Sequence, residues 1–357
     1  MKHLELFAGI GGFRRALDLL SADGIMSFES VGYSEIDAKA VKTYTTNFNT
    51  APSEVVLGDI VQFTSDVKNI QALDDFDLLT GGFPCQTFSM MGKQAGFNED
   101  RGQMFFRIMD ILKVKRPKYV LLENVKNLYS HDNKRTFKRI VTELESIGYD
   151  VISSIFNTSD FHLPQKRSRV LIFASLCPIE DKYRNSFCSK VVADAFDKVY
   201  RQTSLLTAAT VVEFLQRNVP DKYFLSERIK PTILSNGSAN FKANSEINQE
   251  IARTLTASMH KMHRACQDNY YSIDYIESKG KNNPAKYMSK EELAKLQIRK
   301  LTPQEAFSLQ GFPPEFATKA SLAGVSDGAL YKQAGNAVSI NTIYAVVHYL
   351  IANKLLS

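Results

Sequence analysis

The chain has 357 residues, 44% of them hydrophobic, and a net charge of +6 at pH 7. That length exceeds what one compact core usually holds, so we expect two lobes in an otherwise ordinary soluble globular protein. No apolar run is long enough to cross a membrane, and four cysteines are too few for a disulfide scaffold.

The first half of the chain alternates predicted strands and helices, which is typical of an α/β sheet. Residues 151–156 and 169–174 then form two strands without a helix between them, so we expect this pair to be antiparallel. The pattern predicts a Rossmann-like mixed sheet. The other predicted strands cover residues 3–8, 30–35, 54–59, 77–80 and 119–123, and the predicted helices 13–20, 38–48, 104–115 and 135–148.

The alternation fades between residues 175 and 297, which indicates a second, smaller and irregular domain. Within it, 207–217 has helical spacing and 251–258 reads as extended. Thr302, Pro303 and Glu305 then form a strong helix start, with Gly311 as the expected stop. The chain ends in an apolar-striped helix over 337–356, which we expect to pack on the first lobe.

A glycine-rich turn, LFAGIGGFRRALD, joins the first strand to the first helix, a geometry suited to nucleotide-type ligands. Gly9 and Gly11 fit the first two positions of a dinucleotide fingerprint, but Arg14 stands at the third, which argues against a diphosphate. Glu35 ends the second strand, where a ribose-binding carboxylate is expected, and Asp59 ends the third. These features predict S-adenosylmethionine as the cofactor, in preference to a merely structural turn.

A thiol, a carboxylate and two guanidinium groups are predicted to meet at the same sheet edge. Cys85 follows the fourth strand, Glu123 ends the fifth, and Arg167 and Arg169 begin an antiparallel neighbour. A thiolate that adds to C6 of cytosine makes C5 nucleophilic towards a sulfonium methyl group. A carboxyl group at N3 and an arginine near O2 would stabilise the charge that develops. Considered one at a time, these residues also have non-catalytic interpretations. Cys85 could be an inert thiol, Glu123 a structural carboxylate at a strand end, and the two arginines part of a solvated basic segment.

The segments ELFAGIGGF, GGFPCQTFS, ENV, QKRSRV, LTPQEAFSLQGFP and QAGNAVS occur in the order found in cytosine-C5 DNA methyltransferases. The chain resembles that family, of the prokaryotic restriction-modification type, over nearly all residues outside 175–297. The resemblance implies a class I S-adenosylmethionine-dependent methyltransferase fold. It also implies DNA (cytosine-5) methylation of a flipped-out base through a covalent bond between Cys85 and C6.

The resemblance assigns residues to this reaction. Cys85 matches the nucleophile, Glu123 the residue holding N3, and Arg167 and Arg169 the basic pair near the base and its phosphate. Glu5, where the family often has aspartate, and Ala337, where serine is common, depart from the pattern without removing a catalytic group. The cofactor-binding residues are expected to be Phe7, Ala8, Gly9, Ile10, Gly11, Gly12, Glu35, Ile36, Asp59, Ile60, Pro84, Asn336 and Ala337.

The target base must leave the duplex stack to reach Cys85, so a loop has to close over it. The loop 81–102 is expected to be mobile and to contact DNA through Gln86, Ser89, Lys93 and Arg101. Residues 1–175 with 328–357 are expected to form the catalytic and cofactor-binding domain. Residues 176–327, including a hinge segment at 299–316, are expected to form the target-recognition domain. Its expected DNA contacts are Arg253, Thr254, Leu255, Lys261 and Arg264.

Two alternatives share much of this pattern: a tRNA cytosine-C5 methyltransferase and a catalytically inactive DNA-binding regulator. The long reader region favours DNA, and the presence of Cys85 and Glu123 favours activity. A thiol hydrolase would need a histidine near Cys85. His260, His263 and Cys266 invite a zinc interpretation, but without paired cysteines no metal is expected. The expected partners are double-stranded DNA and a functionally paired restriction endonuclease, with no membrane partner. We also expect a monomeric state and a cytoplasmic, nucleoid-associated location.

Overall fold

The computed structural model describes residues 1–84, 104–238, 241–242 and 245–357. The sites predicted at Cys85, Gln86, Ser89, Lys93 and Arg101 therefore lie outside the described residues, as does most of the loop 81–102. Among the described residues, none of the helices combines the length and the apolar character needed to cross a bilayer.

Strands and helices alternate through the first half of the described chain. The strands are β1 (Lys2–Leu6), β2 (Glu29–Tyr33), β3 (Val55–Val56), β4 (Leu78–Gly82), β5 (Tyr119–Val125), β6 (Asp150–Asn157), β7 (Gln165–Lys166), β8 (Ser168–Ser175), β9 (Gly237–Ser238), β10 (Phe241–Lys242), β11 (Ala252–Arg253), β12 (Tyr270–Ser272) and β13 (Ile298–Lys300). The helices are α1 (Gly12–Ala22), α2 (Ala38–Asn47), α3 (Ile60–Thr64), α4 (Val67–Gln71), α5 (Met104–Lys115), α6 (Arg135–Ser146), α7 (Asp181–Ser186), α8 (Ser189–Phe196), α9 (Lys230–Leu234), α10 (Ile273–Glu277), α11 (Lys290–Leu293), α12 (Pro303–Ser308), α13 (Pro314–Leu322), α14 (Asp327–Asn336) and α15 (Ile340–Ala352).

Seven strands form one mixed sheet in the order β3-β2-β1-β4-β5-β8-β6. The first five are mutually parallel, whereas β8 runs antiparallel to both β5 and β6. This confirms the predicted antiparallel pair. Because β8 is reversed, it begins at the edge where β4 and β5 end, so Arg169 and Glu123 are brought to the same edge.

The central strands are buried on both faces, as expected for strands covered by helices on each side. Leu4 and Leu6 of β1 and Leu79 of β4 are fully buried in one hydrophobic cluster. Helix α5 contributes Ile108 and Leu112 to the same cluster. The rigid sheet that results fixes where each strand ends, and the candidate site is built at those ends.

Packing divides the chain into two compact units. The first unit comprises Met1–Phe161, Ser168–Leu205 and Thr342–Ser357, and the second comprises His162–Arg167 and Leu206–Asn341. Most of α15 thus belongs to the first unit, where Tyr344 donates a hydrogen bond to Asp23 at 2.8 Å. Residues 176–205 also pack there, although the expected target-recognition domain includes them. The functional division into catalytic and recognition domains stays a prediction.

The second unit has short elements and much irregular chain. Its small pairings are β7 with β11, β9 with β10, and β12 with β13. Helix α12 begins as predicted: Thr302 and Glu305 form a reciprocal capping box and Pro303 is the first helical residue. The chain then turns at Gly311, whose φ is +90°.

The helix predicted over 207–217 is wrong. Only Val211–Glu213 is helical, as one 3-10 turn, and Thr210 with Glu213 forms a capping box around it. Two features explain the difference. The β-branched residues Thr210, Val211 and Val212 stand in a row and disfavour a longer helix. The capping box also satisfies the backbone of this short turn without any further helical residues.

A buried ion pair lies in the core of the second unit. Arg299 and Glu305 are 0% and 1% exposed and form two hydrogen bonds of 2.7 and 2.9 Å. The backbone N–H groups of Gln216 and Thr302 donate to the same carboxylate at 2.6 and 2.7 Å. Glu305 therefore accepts four hydrogen bonds, which is the condition under which a buried charge is tolerated.

We expect Glu305→Gln to lower the free energy of unfolding by about 3–5 kcal/mol, because the guanidinium of Arg299 would remain buried and unpaired. Urea unfolding of the full chain measures this. The matched control is Glu250→Gln, which breaks an exposed pair with Lys286 in the same unit and should cost less than about 1 kcal/mol. Equal, small effects for both variants would contradict the importance of the buried pair.

Candidate functional site

The glycine-rich turn leaves β1 in a left-handed backbone conformation that favours glycine. Phe7, Gly9 and Gly11 have φ values of +54°, +56° and +80°. A Cβ atom at Gly11 would lie 2.4 Å from the ring of Phe48. A side chain is therefore excluded at Gly11, and the turn delivers the chain directly to the first residue of α1, Gly12.

Glu35 is tied to this turn by its carboxylate. Oε2 accepts a hydrogen bond from the Gly9 N–H at 2.8 Å, and Oε1 accepts from the N–H groups of Ile36 and Asp37 at 2.9 and 2.8 Å. Ile36, next in sequence, is 74% exposed. A fixed carboxylate and an open apolar side chain thus lie beside the turn, as a nucleoside site requires.

Asp59 ends the third strand region and caps α3, since its Oδ1 accepts from the Val61 N–H at 2.8 Å. Its second oxygen accepts no hydrogen bond from the described residues. Ile60, predicted to contact adenine, is only 2% exposed and packs in the core. Ser34 links the two strand ends by donating to the Gly58 carbonyl at 2.9 Å.

Glu5 is a buried acid beneath the turn, which the sequence singled out only as a departure from the family pattern. Burial raises the pKa of Glu5 to about 8, partly opposed by the positive charge of Arg14. Its oxygens have no well-formed hydrogen bond among the described residues, although the N–H groups of Phe13 and Arg14 lie beside them. Near pH 7 the turn therefore rests on a largely neutral carboxyl group.

Glu123 and Arg169 form an ion pair at the ends of β5 and β8. Arg169 Nε lies 2.9 Å from Glu123 Oε1, and the two side chains are 18% and 12% exposed. In the strand register Arg169 is opposite Val125, so it reaches Glu123 diagonally on the same face of the sheet. The pair is mostly buried, and a small part of each side chain is exposed.

Asn124 anchors the segment that leads to the predicted nucleophile. Its Nδ2 donates to the Phe83 carbonyl at 2.8 Å, and Asn124 itself is buried. Gly82 pairs with Glu123 across β4 and β5. The last described residues before Cys85, Phe83 and Pro84, are therefore held next to Glu123. The ENV segment was recognised in the sequence, but no role was predicted for Asn124.

Arg167 requires a correction. Its guanidinium is buried in the second unit and donates to the carbonyls of Leu255, Gly335 and Ala337 at 3.0, 3.1 and 2.7 Å. These contacts indicate that Arg167 joins two backbone segments, whereas a contact to the base was expected. Arg167 lies between β7 and β8, outside both strands, so its side chain does not follow the face of the sheet on which Arg169 lies.

The remaining cofactor residues are distributed over both units. Ala8, Ile10 and Gly12 are buried in the turn of the first unit. Asn336 is exposed at the last position of α14, and Ala337 is buried with its carbonyl bound to Arg167; both belong to the second unit.

Most predicted DNA contacts in the second unit have internal partners. Arg264 bonds to Asp268, Ser258 and Thr256, and Arg253 donates to two backbone carbonyls. Leu255 is buried, and the Thr254 hydroxyl donates to the Lys166 carbonyl. Lys261 is exposed. The contacts of Arg264 therefore indicate that it shapes the loop after β11, in place of the phosphate or guanine contact expected for it.

His260, His263 and Cys266 do not assemble into a metal centre. In the part of the chain that the structure describes, no three His, Cys, Asp or Glu residues are grouped as metal ligands. The His260 ring lies 2.8 Å from the Ala257 carbonyl, and the His263 ring contacts the Tyr270 hydroxyl at 3.3 Å.

The family model for C-5 cytosine-specific DNA methylase matches residues 1–352. The chain belongs to this family of enzymes. Among its relatives, the type II methyltransferase M1.ScrFI of Lactococcus lactis subsp. cremoris is 37% identical over 98% of this chain and 78% of its own length. The type II methyltransferase M.HaeII of Haemophilus aegyptius is 34% identical over 98% of this chain and 92% of its own length. The predicted identity as a cytosine-C5 DNA methyltransferase is thus confirmed.

Solved structures confirm the fold of this methyltransferase. The Entamoeba histolytica methyltransferase EhMeth matches with a TM-score of 0.74 and 21% identity, covering 100% of this chain and 99% of that one. The S. pombe Dnmt2 methyltransferase matches with a TM-score of 0.71 and 19% identity, at 100% and 99% coverage. At these identities the likeness concerns the class I methyltransferase architecture alone.

Proposed function

We propose that this methyltransferase transfers a methyl group from S-adenosylmethionine to C5 of a cytosine flipped out of a short specific site in duplex DNA. The observation that carries the proposal is the Glu123–Arg169 pair beside the anchored segment Phe83–Pro84. That segment leads directly into Cys85. The acid and the guanidinium lie together in the first unit, and the proposal adds the thiol of Cys85, the residue that follows Pro84 in the sequence.

Cys85 acts as the nucleophile. Its thiolate adds to C6 of cytosine, so that electron density moves to C5, which then bonds to the methyl carbon while the methyl–sulfur bond of the donor breaks and its sulfur leaves as a neutral thioether. Loss of the C5 proton and cleavage of the sulfur–C6 bond restore the aromatic ring. The cationic guanidinium of Arg169 would favour the thiolate form of this nucleophile.

Glu123 holds N3 of the base and, in its protonated form, supplies a proton there as the ring gains electron density. Arg169 fixes the direction of the Glu123 carboxyl through the 2.9 Å contact and adds a positive charge on the same side. Charge that develops on the ring is then stabilised by groups already in place, which is the least costly form of electrostatic catalysis.

The turn 7–12, Glu35 and Asp59 suit the cofactor. S-adenosylmethionine supplies the electrophilic methyl group when it is bound. Glu35 would bind the ribose hydroxyls, the open side of Ile36 would cover the adenine, and the second oxygen of Asp59 would accept from its amino group. Asn336 and Ala337 stay proposed as cofactor-binding residues.

The second unit would read the DNA sequence, with Lys261 as the exposed cation of the loop after β11. The loop contacts proposed for Gln86, Ser89, Lys93 and Arg101 complete the DNA surface. The relationship to type II methyltransferases supports three further proposals. These are a restriction endonuclease of the same specificity, a monomeric state, and a cytoplasmic, nucleoid-associated location.

We expect the protein to form a denaturation-resistant complex with duplex DNA in which every cytosine is replaced by 5-fluorocytosine, in the presence of S-adenosylmethionine. Fluorine cannot leave C5 as a proton does, so the sulfur–C6 bond persists. A gel run under denaturing conditions measures the complex. The same duplex with ordinary cytosine, and tRNA containing 5-fluorocytosine, are the controls. Trapping on tRNA alone would overturn the DNA assignment.

A further inference from the structure

A small cavity in the second unit is lined by one cation that has no anionic partner. The cavity has a volume of about 30 Å³. Lys300 enters it from the end of β13, next to the rings of Tyr331 and Tyr270. His263 and Gln267, from the loop between β11 and β12, also line it.

The ammonium group of Lys300 lies 5.2 Å from the centre of the Tyr331 ring and makes no hydrogen bond or ion pair with the described residues. Lys300 is half-buried, and this burial lowers the pKa of its ammonium group. An aromatic ring stabilises a cation only partly, so the site still lacks an acceptor. The exposed amide of Gln267 has no hydrogen-bond partner among the described residues either.

The acids near Lys300 are neutralised by other bases. Asp268 is paired with Arg264 at 2.6 Å, and Asp327 is paired with Lys222 at 2.6 Å. Burial and the charge of Lys300 lower the pKa of His263, so it is neutral at pH 7. The group of charges around the cavity therefore has a net charge of +1, contributed by Lys300.

Size decides which kind of anion fits. One water needs roughly 10–15 Å³ of such a cavity, so about 30 Å³ has room for about two oxygen-sized groups. This suits the two non-bridging oxygens of a phosphodiester and is too small for a nucleobase. The cavity also lies at the base of the loop that carries the exposed Lys261.

We infer that this cavity is a binding site for one backbone phosphate of the bound DNA, with Lys300 and Gln267 as the hydrogen-bond donors. The inference rests on the proposed function, since it assumes that the second unit contacts duplex DNA. A phosphate contact positions the protein without reading sequence, so the binding site would fix the register of the recognition loop on any duplex.

The test uses the full-length protein and a mixed-sequence duplex, whose affinity is measured by fluorescence anisotropy between 50 and 300 mM salt. For Lys300→Met we expect the slope of log affinity against log salt to fall in magnitude by about 0.9, because one fewer counterion is released. Lys300→Arg should retain the slope. The matched control is Lys319→Met, which removes an exposed lysine of the same unit outside the cavity.

A second variant covers the case in which Lys300→Met unfolds. Gln267→Glu places a negative charge at the mouth of the cavity and should weaken binding to every duplex by the same factor. Gln297→Glu, another exposed glutamine of the second unit, is its control. An unchanged slope for a folded Lys300→Met variant, or equal effects of the two glutamate variants, would mean that the cavity holds only water. Absence of DNA binding by the unaltered protein would instead refute the proposed function.

Discussion

Replacing Cys85 with alanine is expected to lower the rate of DNA methylation by more than about 10⁴-fold, as loss of a catalytic nucleophile does elsewhere. The reason is chemical: C5 of cytosine attacks a methyl group only after a thiolate has added to C6. DNA affinity should be retained, because the phosphate and base contacts belong to other residues. Methyl transfer from radiolabelled S-adenosylmethionine and an anisotropy titration measure the two quantities.

Cys177→Ala is the matched control, because Cys177 is an exposed free cysteine of the same unit. It should leave both rate and affinity unchanged. A Cys85→Ala variant that still methylates DNA at more than a tenth of the original rate would remove the covalent mechanism. Loss of DNA affinity in this variant would show that Cys85 serves binding as well as chemistry.

The central sheet was predictable because its strands are buried on both faces and its helices have regular apolar spacing. Helix α5 has the predicted bounds, 104–115, and the reversed pair β6 and β8 was expected from two strands without an intervening helix. The third strand was predicted over 54–59 but covers only Val55–Val56, since Gly58 turns the chain with a φ of +62°. Local turns set the ends of an edge strand. The spacing of apolar residues does not show where these turns occur.

The second unit was less predictable because few of its residues follow a regular period. The extended segment predicted over 251–258 is a strand only at Ala252–Arg253, where it pairs with β7. Its partner strand is a distant part of the chain, and such pairing is set by tertiary contacts. Short elements held by buried polar groups, such as Arg299 with Glu305, leave little trace in hydrophobic patterns.

Within the candidate site, strand ends were predictable but side-chain partners were not. Glu123 and Arg169 meet as their positions on antiparallel neighbours require. Arg167 and Arg264 belong to basic segments that resemble DNA contacts, yet each is bound to groups of its own unit. A sequence shows that an arginine is present; whether its charge is already satisfied depends on residues nearly 90 positions away, as Leu255 is from Arg167.

Glu123→Gln is expected to lower kcat by about 10²–10⁴-fold, since an amide of the same size holds a hydrogen bond to the base but cannot transfer a proton. The fold should survive, because Arg169 also donates to the Ser168 carbonyl and a small part of each side chain of the pair is exposed. Single-turnover methylation at saturating DNA and S-adenosylmethionine measures the chemical step apart from binding.

Asp150→Asn is the matched control for Glu123→Gln, because Asp150 pairs with Arg184 near the opposite end of the same sheet. It should leave kcat unchanged. A double-mutant cycle with Arg169→Met then separates the roles of the pair: if Arg169 acts by orienting Glu123, its removal should cost little once Glu123→Gln is present. Fully additive losses would instead mean that Arg169 contacts the base independently. If the kcat of the Glu123→Gln variant lies within a factor of three of that of the unaltered enzyme, proton transfer to N3 by this carboxyl group is excluded.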